Sequence, residues 1–155
     1  MSRMMKNPKD SFTQQVQILT LSNLNGSRRL FGGRLLEWID IVAAVTARRH
    51  SNHKVVTARF EAVDFKAAAY PDDVLLITGK MVYVGTTSMN ICVETYVESS
   101  DNSRRLINKS YVTMVAVDEN GVPVEVPGLI PETQEEIDEF NAAKLRIAKR
   151  KEILI

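Results

Sequence analysis

Asp40 and Glu37 are the acidic residues of a stretch, Leu35 to Ala47, that is otherwise apolar. Three positions apart on a helix, they occupy neighbouring positions of one face. A carboxylate removed from water without a partner is costly. Asp40 is therefore either paired or working, as a base or a nucleophile. Gly33, the second residue of a Gly32-Gly33 pair, stands seven residues before it, where the helix should begin. A helix N-terminus carries free N–H groups and a partial positive charge, and glycines let a substrate approach the backbone closely. Such an end can stabilise the oxyanion that develops on an acyl carbonyl. Gly33 and Asp40 are about two turns apart, at ~5.4 Å per turn, so one acyl group can reach both directly or through a water. The plainer readings are a tight turn for the glycines and an arginine-paired or edge-exposed aspartate.

Other residues carry weaker signals. Asn25-Gly26 is first a turn, although its side-chain amide can also hold a carbonyl or a water. Val84-Gly85-Thr86-Thr87-Ser88-Met89 joins two predicted strands, and its small and hydroxyl-bearing residues suit either a hairpin loop or a groove for an amide-rich chain such as pantetheine. His50 and His53 flank the helix end and read as surface residues. Cys92 falls on a strand and reads as packing. No metal-ligand spacing and no phosphate-binding glycine loop is present, and two histidines three apart support no Ser-His-Asp arrangement.

The elements that must position these residues follow from periodicity. Thr13 to Leu21 reads as a first strand, and Asn23 to Ser27 is dense in turn formers. From Leu35 to Ala47 the helix is apolar on nearly every side, as in a helix buried all round, with Arg48, Arg49 and His50 in its last turn, where cations suit the macrodipole. Strands are predicted over Lys54 to Val63, Val74 to Val84, Met89 to Val97 and Leu106 to Val117, the last closed by the turn Asp118 to Gly121. One buried helix with long antiparallel strands is an α+β architecture. Thr133 and Glu136 fit a capping box, opening a helix to about Glu152 with an apolar stripe of Ile137, Phe140, Ala143 and Ile147.

Composition bounds the rest. The 155 residues suit one domain, with residues 1–12 a flexible polar arm, 13–131 the domain proper and 132–155 a helical extension. A net charge of +1 argues against a nucleic-acid partner. A single cysteine cannot staple the fold, and suits a reducing, cytoplasmic setting. No apolar run reaches the ~18 residues of a membrane helix.

The ordered motifs resemble a known family. Gly32-Gly33-x-Leu35-Leu36-x-x-Ile39-Asp40, followed by Ala43-Ala44-x-x-Ala47-Arg48-Arg49-His50, is similar to the helix signature of hotdog acyl-CoA thioesterases, both the bacterial single-domain enzymes and the domains of the mammalian tandem-domain cytosolic hydrolase. Val55-Val56-Thr57-Ala58, Val63-Asp64-Phe65, Val84-Gly85-x-x-Ser88-Met89, Val115-Ala116-Val117-Asp118 and Val126-Pro127-x-Leu129-x-Pro131-Glu132-Thr133 follow in family-like order. The resemblance implies a long helix wrapped by an antiparallel sheet, a homodimer with its active sites at the interface, and commonly a hexamer made of three dimers. It implies hydrolysis of acyl-CoA with no cofactor, coenzyme A being substrate moiety and product. Asp40 is then general base or nucleophile and the Gly33 amide, beside Gly32, the oxyanion donor. Asn25 of the facing subunit helps, with Asn23 second to it. Gly85, Thr86 and Ser88 contact pantetheine.

The chain also departs from the family. Asn25 to Gly32 looks about two residues longer than usual, through Ser27-Arg28-Arg29-Leu30, and Arg28 and Arg29 add cations that suit the phosphates of coenzyme A. Asp72-Asp73 stands where a Gly-Asp turn is usual. Three other readings compete, the plainest a structural oligomer with no ligand, against which Asp40 behind a double glycine argues. A hotdog hydratase resembles an Asp-x-x-x-x-His pattern, but Val45 occupies the fifth position after Asp40. A non-catalytic acyl-CoA sensor would use the same pocket without turnover.

Overall fold

A computed structural model describes residues 2–153 of the chain. A central helix, α1 (Gly32–Ser51), lies against a five-stranded antiparallel sheet of β2 (Thr13–Ile18), β3 (Lys54–Phe65), β4 (Val74–Val84), β5 (Ser88–Glu98) and β6 (Arg104–Val117). The strand order is β2-β4-β5-β6-β3, so β2 and β3 are the two edges. A second helix, α2 (Gln134–Ile153), packs on the sheet by way of β4. This is the α+β hotdog architecture that the motifs imply.

Phe31, in extended conformation, caps the start of α1, and Asn52, in the left-handed region at φ 59°, ends it by donating its N–H to the Arg48 carbonyl. Leu35, Trp38, Ile39, Val42, Ala43, Thr46, Ala47 and His50 face the sheet and are buried against Leu75, Ile77, Met89, Ile91, Val112 and Met114. The helix comes closest to the sheet at Gly79. A Cβ there would stand 2.5 Å from Thr46 Oγ1 and 2.8 Å from Val42 Cγ1. The helix is not buried all round, as its composition suggests. Arg34, Leu36, Asp40, Ala44 and Val45 are half-buried, Glu37 is exposed, and Ile41 is 52% exposed. These residues form a stripe along α1 that the protomer leaves open.

One further reading is corrected. His50 is fully buried, not a surface residue, and its Nε2 lies 2.7 Å from the Pro127 carbonyl. It falls on the same face as Ala43, Thr46 and Ala47, which packs inward. Part of the polar segment at residues 1–12 makes contacts with the body of the domain. Met5–Lys6, β1, pairs in parallel with Gly128–Leu129, β7. Pro8 and Ser11 are buried, and Lys6 places its Nζ 3.0 Å from the Arg49 carbonyl at the end of α1. Finally, Asp72 takes the left-handed conformation, at φ 68°, in the turn where the family has glycine. Aspartate tolerates that region better than most residues.

The capping box of α2 forms as read. Glu136 N–H donates to Thr133 Oγ1, and Thr133 N–H to Glu136 Oε1, both at 3.1 Å. Ala143 is fully buried, and Phe140 stacks on Tyr83 with ring centroids 5.0 Å apart. Arg146 lies 3.7 Å over the Tyr111 ring and donates to Asn90 Oδ1 at 2.7 Å.

Candidate active site

Asp40 sits on the open stripe of α1, half-buried, and its partner comes from the edge strand. Thr57 Oγ1 donates to Asp40 Oδ1 at 2.6 Å. No salt bridge among the described residues involves Asp40, so the arginine-paired reading is not what the fold adopts. The nearby Glu37 is instead taken by Arg34, at 2.9 Å. One carboxylate oxygen of Asp40 is thus oriented by a hydroxyl, and the other has no hydrogen-bond partner among the described residues.

A local irregularity of β3 adjoins Thr57. Thr57 pairs with Met114 and Arg59 with Thr113, so Ala58 is the extra residue of a bulge. Bulges of this kind re-aim side chains and recur next to active sites. The sequence motif contained Thr57, yet between Val56 and Ala58 it reads as an ordinary strand residue.

The glycine pair opens α1. The first N–H groups to donate within the helix are those of Arg34 and Leu35, to the Phe31 carbonyl. The Gly32 and Gly33 amides have no acceptor among the described residues. Aromatic rings flank both glycines. A Cβ on Gly33 would stand 2.8 Å from the Phe31 ring, and one on Gly32 would stand 3.6 Å from the Phe65 ring. A side chain at position 33 would collide with that ring unless it moved. Gly33 and Asp40 are on one face of α1, as the spacing requires.

Asn25 is not brought to Asp40 within the protomer. It lies on an exposed hairpin closed by the bridge between Leu24 and Leu30. Its Oδ1 accepts from the Ser27 N–H at 2.9 Å and the Arg29 N–H at 3.3 Å. The carbonyl half of the amide therefore shapes the turn, and the Nδ2 half has no partner among the described residues. Asn23 is a local cap, with Oδ1 accepting from Thr20 N–H and Oγ1–H. Arg28, in the left-handed region at φ 59°, and Arg29 are exposed on the same hairpin. Arg29 lies 5.9 Å over the Tyr70 ring.

Gly85, Thr86 and Ser88 form the β4–β5 turn, closed by the Gly85 N–H donating to the Ser88 carbonyl at 2.9 Å. The ladder pairs Thr57 with Met114 and Met114 with Met89, so the turn begins one residue beyond a position two strands from Thr57, roughly 10 Å at the usual strand spacing. A cavity of about 90 Å³ adjoins the turn, lined by Gly85, Ser88, Asn90, Ile147, Arg150 and Lys151 among others. The cations of α2 at this loop were not legible in the sequence. Cys92 is buried, and burial pushes its thiol up to about 12, which leaves no thiolate for nucleophilic chemistry. Among the described residues, no group of three or more His, Cys, Asp or Glu is placed to hold a metal ion, and no helix is long and apolar enough to cross a membrane.

Comparison with known proteins bears on this geometry. Residues 29–102 match the thioesterase superfamily model. An uncharacterized acyl-CoA thioester hydrolase of Bacillus subtilis is 35% identical over 153 residues, covering 95% of this chain and 89% of that protein. An apo-hexameric acyl-CoA thioesterase superposes with a TM-score of 0.94 at 36% identity, over 97% of each chain. An acyl-CoA hydrolase of Staphylococcus aureus in complex with coenzyme A superposes with a TM-score of 0.93 at 33% identity, over 97% of this chain and 90% of that one. The same hydrolase has been solved with butyryl-coenzyme A, and as alanine variants of an asparagine, an aspartate and a threonine. In it the asparagine precedes the aspartate by fifteen positions and the threonine follows it by seventeen. Asn25, Asp40 and Thr57 have the same separations here, so the stretch from Asn25 to Asp40 is no longer than in that hydrolase, contrary to the two-residue excess expected.

Proposed function

The chain belongs to the bacterial acyl-CoA thioester hydrolases of the thioesterase superfamily, and on that premise we propose that it hydrolyses fatty acyl-CoA to free fatty acid and coenzyme A with Asp40 as general base. The observation that carries this reading is a carboxylate held by one hydroxyl, on an open helix face, two turns from unpaired amides.

The spacing favours attack by water over attack by the carboxylate. Seven residues at 1.5 Å rise separate Gly33 from Asp40 by roughly 10 Å along the axis. A relay of carboxylate, water, carbonyl and amide, each contact near 3 Å, spans about that distance. Direct attack would bring the carbonyl within about 3 Å of Asp40 and out of reach of the Gly33 amide on the same helix. In the relay, Thr57 fixes one oxygen of Asp40, the other takes the proton of water, and the Gly33 amide meets the oxyanion.

A second copy of the chain completes the site. Phe31, Ile41, Val56, Phe60 and Phe65 are all large apolar residues more than one-third exposed, at the open stripe of α1 and on β3. Strand β3 has β6 on one side and, among the described residues, no partner on the other. A partner over this face would bury the apolar side chains, exclude water from Asp40 and bring its own Asn25 Nδ2 toward the substrate. Three such dimers give the hexamer, the assembly of the thioesterase relative. Pantetheine runs along Gly85 to Ser88. The nucleotide phosphates are left to exposed cations, Arg28 and Arg29 on the hairpin or Lys151 beside the loop.

Thiol release from a panel of acyl-CoAs, short to long chain, tests the reading. Purified protein is expected to release coenzyme A rapidly, with a preferred chain length. Tight binding of coenzyme A with no release from any member would instead support an acyl-CoA sensor.

A further inference from the structure

The start of the chain reaches the β4–β5 turn. Arg3 donates from Nη2 to the Gly85 carbonyl at 2.6 Å and from Nε to the Val126 carbonyl at 2.7 Å. The Val126 N–H donates to the Thr86 carbonyl at 2.9 Å, and the Ala116 N–H to the Thr87 carbonyl at 3.1 Å. The carbonyls of Gly85, Thr86 and Thr87 are therefore all engaged.

A peptide unit is planar and trans, so its C=O and N–H point in opposite directions. Holding the Gly85 carbonyl aims the Thr86 N–H, and holding the Thr86 carbonyl aims the Thr87 N–H. Neither amide has an acceptor among the described residues. The turn presents donors with its acceptors tied down behind them, which complements the carbonyl oxygens of an amide-rich chain. Arg3 controls both peptides, the first directly and the second by holding Val126. Its charge also polarises the Gly85–Thr86 peptide and strengthens the N–H as a donor. The segment that carries Arg3 is itself anchored, by Gly128 N–H to the Met4 carbonyl at 2.8 Å and Ile130 N–H to the Lys6 carbonyl at 2.9 Å.

We propose that Arg3 is a positioning residue for acyl-CoA, aiming the Thr86 and Thr87 amides at the carbonyls of the pantetheine arm. The proposal rests on the assignment of this turn to pantetheine. Arg3 touches no reacting atom, so its removal acts on binding and leaves the chemistry at Asp40 alone.

The test uses the full chain with Arg3→Ala and Arg3→Lys. It measures KM and kcat for a hydrolysed acyl-CoA, affinity for coenzyme A by calorimetry, and hydrogen exchange at the Gly85 and Val126 amides. Loss of a charge-assisted bond predicts KM and the dissociation constant rising roughly tenfold in Arg3→Ala, with kcat little changed. Arg3→Lys, which keeps the charge and one contact, recovers part of the affinity, and both amides lose protection in Arg3→Ala. A fall in kcat with unchanged KM overturns the proposal in favour of a merely structural role. Unchanged exchange and affinity overturn it while leaving the pantetheine assignment standing. Faster exchange with unchanged affinity overturns the pantetheine assignment and the proposal together.

Discussion

A carboxylate is useful as a base only if one of its oxygens points at the water it must deprotonate. In the proposed mechanism that task falls to Thr57, whose hydroxyl donates to Asp40 Oδ1 at 2.6 Å. Replacing Thr57 with Val keeps the shape and β-branching and removes only the hydroxyl. A hydrogen bond to a charged group is worth about 1.5–3 kcal/mol. Thr57→Val is therefore expected to lower kcat by roughly tenfold or more, while Thr57→Ser retains most of it, as read by steady-state thiol release. Wild-type kcat in the valine variant would remove Thr57 from the site. Asp40 was legible in the sequence because a charge in an apolar run must be explained. Thr57 was not, since a threonine in a strand serves packing and hydrogen bonding equally well. Arg3 was invisible for a different reason. Its role depends on carbonyls at Gly85 and Val126, and backbone acceptors have no signature in side-chain pattern.

At the scale of elements, the strands β4 and β6, the capping box of α2 and the glycine start of α1 all followed from periodicity and turn chemistry. What periodicity did not reveal were features set by tertiary contact. The two-residue β1 is too short to show a period, and it exists because β7 offers it an edge. His50 looked like the third cation of a solvated helix end. Its turn position, four residues after Thr46 and seven after Ala43, instead carries it inward, beneath Pro127. Burial lowers its pKa below the usual 6.5, and the Pro127 carbonyl acts the other way but less. Folding therefore favours the neutral ring. Stability linked to His50 is complete above the unfolded pKa and is lost as pH falls below it, because the unfolded chain then binds a proton that the folded one resists. Thermal unfolding should show a midpoint that drops between about pH 7 and pH 5, with a shallower drop in His50→Gln. Equal slopes in the two proteins would show that His50 does not set this pH dependence.

The whole molecule decides whether these parts make a catalyst. Within one protomer Asp40 is half-buried, the apolar side chains beside it are exposed, and Asn25 stands on a projecting hairpin. The residue pattern alone carried no sign of this division, which only the family resemblance implied, because a helix that is open on one stripe and a helix buried by a partner have the same composition. The two-copy reading makes a sharp demand. It requires that the proposed base and the asparagine that serve one thioester come from different chains.

The most direct measurement is thiol release by Asp40→Asn, by Asn25→Ala, and by the two variants mixed under conditions that exchange subunits. Asp40→Asn should lose a factor of about 10²–10⁴ in kcat, the usual contribution of a general base, and Asn25→Ala a smaller one. A mixed dimer regains one intact site, with Asp40 from one chain and Asn25 from the other, so activity returns on mixing. Wild-type turnover in Asp40→Asn would contradict the account at its centre, and a mixture no more active than its parts would contradict a site shared between two copies.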